Sequence, residues 1–166
     1  MASISGLYSL TELQQAIAAD PPRWRPLVVT SGCFDLLHAG HVRYLQAAKT
    51  LGASLVVGLN SDRSVQQIKP AAAGKPPRPI VPEQQRAEVL AALAVVDAVV
   101  IFPQTTATTL VETLQPNIYV KGGDYRIETL PEAKAVQAYG GRVELVGLEV
   151  PSSTSAIVEK ILAAAR

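Results

Sequence analysis

The chain has 166 residues, with 15 Lys and Arg against 14 Asp and Glu, which suits one domain with a real core and argues against a nucleic-acid footprint; any phosphate-binding charge must be local. Its single cysteine, Cys33, gives no internal disulfide. No apolar run approaches a membrane span, and the N-terminus lacks the basic-then-apolar pattern of a secretory signal, so a cytoplasmic location away from membranes is the expectation.

Ser9-Leu10-Thr11-Glu12 has the form of a capping box, and Leu10, Leu13 and Ile17 recur at helical spacing. A short helix is predicted there, ending before Asp20-Pro21-Pro22, with a Pro-rich loop to Pro26. Residues 1–26 read as an adjunct to a main domain spanning 27–166.

Leu27 to Ser31 is an apolar, β-branched run, the pattern of a buried strand. It breaks at Gly32, and an amphipathic helix is predicted over 40–51, with Val42, Leu45 and Ala48 inward and Arg43 and Lys49 on the solvated side. The only two histidines of the chain, His38 and His41, lie at this break. A spacing of three puts both on one face of a helix N-terminus, where free N–H groups attract phosphate. Isolated histidines are more often structural. Two imidazoles within one turn of such a helix start point instead to phosphoryl or nucleotidyl transfer.

Ser54 to Leu59 reads as a second strand, ending at Asn60-Ser61-Asp62 on the edge where open α/β sheets bind ligands. Ser61 caps a predicted helix over 62–68, and Asn60 and Asp62 are candidates for ligand contact. Residues 69–82 hold Lys69, Lys75, Arg78 and five prolines. This is a loop, read either as a solvated basic segment or as a lid over anionic substrates. A helix is predicted over Glu83 to Val95 with Val89, Leu90 and Leu93 inward. Ala98 to Phe102 is the third strand, a helix capped by Thr106 or a neighbouring threonine runs through Leu114, and Asn117 to Val120 is the fourth strand.

Lys121-Gly122-Gly123-Asp124-Tyr125 follows that strand. Paired glycines make either an ordinary turn or a loop that approaches a ligand closely; the place at a strand's carboxyl end favours binding. A helix over Pro131 to Tyr139 and a fifth strand over Arg142 to Val146 come next. Pro151-Ser152-Ser153-Thr154-Ser155 leads into a last helix, where hydroxyls both cap the helix and form an anion site. Alternating strands and helices imply an α/β fold: a Rossmann-like three-layer sandwich on a five-stranded parallel sheet. The G-x-G-x-x-G fingerprint is absent after the first strand, which disfavours a nicotinamide oxidoreductase.

Gly32-Cys33-Phe34-Asp35 followed by His38-Ala39-Gly40-His41 resembles the GxFD and HxGH motifs of the cytidylyltransferase-like nucleotidyltransferase superfamily. With the Lys121–Tyr125 stretch and Ser153-Thr154-Ser155, it is most similar to the D-glycero-β-D-manno-heptose 1-phosphate adenylyltransferase branch, over roughly residues 27–163. The resemblance implies transfer of AMP from ATP to a sugar 1-phosphate, giving ADP-heptose and pyrophosphate. It implies that His38 and His41 are catalytic, hydrogen-bonding the phosphates. Gly32, Cys33, Phe34, Lys75, Arg86, Gly122, Ser153, Thr154 and Ser155 would bind the nucleotide. In relatives the last loop reads Ser-Thr-Thr; here its final residue is serine, which keeps the hydroxyl. Asp35, Asn60, Asp62, Arg78, Lys121 and Asp124 would contact the acceptor, with Asp124 holding sugar hydroxyls.

The resemblance also implies ATP as co-substrate and Mg²⁺ bound mainly through its phosphates, with no protein metal ligand. Relatives often form homodimers. Many carry a sugar-kinase domain ahead of this one, so a separate kinase is expected to supply the heptose 1-phosphate. GxFD and HxGH alone decide neither base nor acceptor: a glycerol-3-phosphate cytidylyltransferase, or an enzyme for another small alcohol phosphate, shares them. A nucleotide-binding module that has lost catalysis is the non-enzyme alternative, disfavoured by the two histidines and the basic loop.

Overall fold

A computed structural model describes residues 5–71, 73–123, 125–147 and 153–165. Six strands form one sheet: β1 (Leu7–Tyr8), β2 (Leu27–Gly32), β3 (Ser54–Asn60), β4 (Ala98–Phe102), β5 (Ile118–Gly122) and β6 (Arg142–Val146), in the order β1-β4-β3-β2-β5-β6. Every pairing is parallel, as crossover connections through helices require. The sheet thus has six strands rather than the expected five. The extra one is Leu7–Tyr8, which pairs with Val99 and Val100. Two residues are too few to show any periodicity.

Helices α1 (Leu10–Ala19), α6 (Thr108–Leu114) and α7 (Ala133–Ala138) cover one face; α3 (Ala39–Lys49) and α5 (Glu83–Ala91) cover the other. The strands alternate accordingly: Leu27 and Val29 of β2 enter the first core, and Val28 enters the second. β3 is buried along its whole length, as a central strand covered on both faces must be. The remaining helices are α2 (Pro21–Trp24), α4 (Asp62–Ile68) and α8 (Thr154–Ala164).

The Ser9 capping box forms as expected, and Leu13, Ile17 and Trp24 are buried in the first core, so the segment before residue 27 supplies core as well as an edge strand. Three local expectations are corrected. Pro21–Trp24 is a helical turn rather than a loop, because Asp20 caps it and proline tolerates the first helical position. Val89 is 48% exposed, and α5 buries Arg86, Ala87 and Leu90 instead. No threonine caps α6: the Thr106 hydroxyl pairs with Thr108, and the N-cap Ala107 N–H donates to the Glu132 carboxylate at 2.7 Å. Lys49 sits in an ion pair with Asp97 at 2.5 Å, remote from the chemistry described below.

Consecutive strands run outward one way from β2 through β3 to β4, and the other way from β5 to β6. The order of winding reverses between the parallel neighbours β2 and β5, and a crevice opens beyond their carboxyl ends, as open α/β sheets dictate. Among the described residues no helix is long and apolar enough to cross a membrane.

Candidate active site

The crevice is a cleft of about 500 Å³. Its floor is the turn from β2 into α3. A Cβ on Gly32 would stand 3.0 Å from the Phe34 ring, so glycine leaves that ring its room. Phe34 and Leu36 both adopt left-handed backbone, with φ of 44° and 45°. Such conformations cost on the order of 1–3 kcal/mol each and persist where surroundings over-determine them.

Asp35, between those two residues and 1% exposed, supplies the anchor. Its carboxylate accepts from the Ile80 and Val81 N–H groups at 2.9 and 3.0 Å and from Arg78 Nε at 2.6 Å. Its carbonyl accepts from the Thr154 hydroxyl at 2.5 Å. One residue therefore ties the histidine turn, the far end of the basic loop and the start of α8 together. Burial alone raises this carboxyl; the two N–H groups and the Arg78 guanidinium outweigh it and hold the group below the usual carboxylate range.

His38 is the N-cap of α3, and His41 stands in its first turn. The rings stack with centroids 3.9 Å apart, and the His38 N–H donates to His41 Nδ1 at 3.4 Å. Burial, with smaller contributions from His38 and Lys69 against an opposing one from Asp35, pushes His41 down to about 4. The ring is therefore neutral near neutrality. With Nδ1 accepting, its proton sits on Nε2, leaving that atom a donor. Around the pair, His38 Nδ1 and Arg78 Nη2 are buried without a partner among the described residues. Both residues line the cleft, and buried polar atoms left open in a cleft wall mark where a polar ligand completes the set.

Most of the residues singled out in the sequence meet here. Gly32, Cys33, Phe34, Asp35, His38, His41, Asn60, Arg78, Lys121, Gly122, Ser153, Thr154 and Ser155 all line the cleft. Burial pushes the Cys33 thiol up, so it is no thiolate nucleophile. Lys121 Nζ donates to the Ser31 carbonyl and hydroxyl at 3.1 and 2.9 Å, and the Ser31 hydroxyl pairs with Tyr119 at 2.7 Å. Burial pushes Lys121 down, while Glu132 and Cys33 pull it back up. Gly122 closes β5, and Gly123, with φ of 87°, makes the left-handed turn that glycine allows. Asn60 is buried and donates to Ser64 Oγ at 2.9 Å.

Two candidates, Arg86 and Asp62, stand behind the lining. Arg86 is 3% exposed and bridges the Val81 carbonyl, the Cys33 carbonyl and Asp62 at 2.8, 2.5 and 2.6 Å. Arg86 and Asp62 thus hold the β2–α3 turn from below. Lys75 is exposed and pairs with Glu159 of α8 at 2.8 Å. Asp124 lies outside the described residues.

Sequence reasoning did not select Ser31, Tyr44, Thr105 or Glu132, which also line the cleft. Tyr44 shows why. Its hydroxyl donates to the Val120 carbonyl at 3.0 Å and pairs with Thr30 at 2.6 Å, joining α3 to β2 and β5. Nothing in a helical Tyr forecasts that role. Glu132, just ahead of a short helix, likewise carried no pattern.

The cytidylyltransferase-like family model matches residues 29–164. The chain is 52% identical over 153 residues to the bifunctional protein HldE of Geotalea uraniireducens, covering 92% of this chain and 30% of that protein. It is 50% identical over 160 residues to the bifunctional protein HldE of Citrifermentans bemidjiense, covering 96% of this chain and 32% of that one. The chain therefore spans about a third of the length of these relatives. Among solved structures, the lipopolysaccharide core biosynthesis protein of Thermoplasma volcanium superimposes with TM-score 0.58 and 29% identity, over 75% of this chain and 97% of that one. A pantothenate synthetase of Thermus thermophilus shares the fold, with TM-score 0.55 and 19% identity over 85% of this chain and 60% of that chain. The family match opens inside β2 and closes at the end of α8, taking in every element that builds the cleft, and on that ground the chain belongs to the cytidylyltransferase-like family and is a nucleotidyltransferase.

Proposed function

We propose that this nucleotidyltransferase moves AMP from ATP to a sugar 1-phosphate, D-glycero-β-D-manno-heptose 1-phosphate, releasing pyrophosphate and ADP-heptose. The observation that carries the transfer chemistry is the stacked His38–His41 pair at the start of α3, with His41 neutral and Nε2 left as a donor. An oxygen of the sugar phosphate attacks the α-phosphorus in line. The new O–P bond forms as the bond to the β-phosphate oxygen breaks, and its electrons leave with pyrophosphate. The attacking oxygen is already anionic, so no base is needed, and the protein's work is positioning and charge stabilisation. His41 Nε2–H, the open Arg78 Nη2 and the free N–H groups of the first turn of α3 donate to the phosphates. Mg²⁺ enters on the triphosphate, as part of the substrate.

The sugar acceptor is supported by the Lys121–Tyr125 stretch and by the likeness to a lipopolysaccharide core biosynthesis protein. A sugar kinase must supply the 1-phosphate, and a homodimer with cytoplasmic residence belongs to the same reading. Titration calorimetry with ATP, run beside a pyrophosphate-release assay, tests it. Release that depends on the heptose phosphate supports transfer, and ATP binding with no release under any acceptor overturns it.

A further inference from the structure

Two carboxylates among the described residues line the cleft, Asp35 and Glu132. They differ in how their acceptor positions are filled. Both Asp35 oxygens are used, by Arg78 and two backbone N–H groups. Glu132 is 4% exposed, yet its one hydrogen-bond donor among the described residues is the Ala107 N–H, at 2.7 Å. A carboxylate has about four acceptor sites, and burying it with few of them met is costly. The unmet sites border the cleft, where a ligand can meet them.

The surroundings say which part of a ligand that is. His38, His41, Lys69 and Arg78 gather where phosphates are held; a bare carboxylate beside phosphates repels them. Glu132 instead shares the cleft with Thr105, Phe102 and Asn60, at the ends of β4 and β3; Lys121, the cation whose charge it feels, donates to the Ser31 carbonyl and hydroxyl rather than to the carboxylate. A neutral group rich in O–H donors fits there. We infer that Glu132 is the residue that recognises the acceptor's sugar hydroxyls, accepting from one or a vicinal pair while the Ala107 N–H holds its other side. This rests on the sugar-phosphate reading above. Buried acceptors of this kind discriminate strongly, because an analogue lacking the hydroxyl leaves the carboxylate unpaired.

Glu132 also clamps the start of α6 to the start of α7, and a purely structural role must be separated from recognition. Glu132→Gln keeps an oxygen for the Ala107 N–H and removes the charge. The test compares initial rates of pyrophosphate release for the wild type and this variant, with the heptose 1-phosphate and with deoxy analogues of its ring. Recognition predicts a rise in the acceptor KM of about tenfold or more, an unchanged ATP KM, and loss of the preference for the parent sugar over one deoxy analogue. Unchanged acceptor KM and preference, or a shift confined to the ATP KM, overturns the inference while the sugar-phosphate reading stands. A wild type that turns over no sugar phosphate removes both. Should Glu132→Gln fail to fold, Glu132→Asp keeps the charge on a shorter arm, and the same rise in acceptor KM and loss of preference are expected; their absence there overturns the inference.

Discussion

The His38 N–H donates to His41 Nδ1 at 3.4 Å while the two rings stack at 3.9 Å, so one histidine fixes both the tautomer and the orientation of the other. The HxGH spacing thereby acquires a physical meaning: three residues along the first helical turn bring the N-cap backbone onto the second ring. Replacing His41 or His38 by Ala removes a donor to the transition state, and turnover should fall by about 10²-fold or more in each case. Steady-state pyrophosphate release, with circular dichroism to verify the fold, checks this. Near-normal turnover in a folded variant removes that histidine from the mechanism.

The same burial makes stability depend on pH. The folded state holds His41 at about 4, against an ordinary value of 6.5. Between those values the unfolded chain binds more protons, so stability falls as pH drops from 6.5 towards 4, and the His41 contribution is fully present above 6.5. Thermal unfolding midpoints followed across that window should decline less steeply in His41→Gln than in the wild type. Parallel declines would show that the ring is not held neutral.

Asp35 and Arg78 form a buried ion pair at 2.6 Å, with side chains 0% and 14% exposed. Removing one partner of such a pair costs about 3–5 kcal/mol. Asp35→Ala also strands the Ile80 and Val81 N–H groups. It should lower the denaturant midpoint by an amount in that range and detach the far end of the basic loop, read as faster proteolysis between residues 69 and 81. A variant as stable and as protease-resistant as the wild type would contradict the anchoring role.

Lys75 pairs with Glu159 on the surface, away from the cleft, and surface pairs contribute little to stability. Lys75→Ala should leave the unfolding midpoint essentially unchanged. If the basic loop closes over the triphosphate, the same variant raises the ATP KM, and saturating ATP with Mg²⁺ protects the loop from protease. An unchanged KM and unchanged proteolysis would leave Lys75 as an ion-pair partner of Glu159 alone.

Much of this was legible in the residues. Gly32, Asp35, His38 and His41 lie within ten residues of one another, so local spacing alone displays them. The helix caps at Ser9 and Ser61 were readable for the same reason. What escaped depends on long-range packing. Leu7 and Tyr8 become a strand only because β4 presents an edge. Val89 faces outward while α5 buries Arg86, Ala87 and Leu90, a face that includes a charged residue hydrophobicity does not select. The partners of Arg86, which are the Cys33 and Val81 carbonyls and Asp62, are likewise set by packing, and Glu132 reaches the cleft through a contact 25 residues away in sequence.

Adenylyl transfer to a sugar 1-phosphate is read by pyrophosphate release over a matrix of nucleotides and acceptors, with the nucleotide product identified by mass. ATP with D-glycero-β-D-manno-heptose 1-phosphate should give the highest kcat/KM and yield ADP-heptose. Efficient use of CTP with glycerol 3-phosphate, and no turnover of the heptose phosphate, would contradict it.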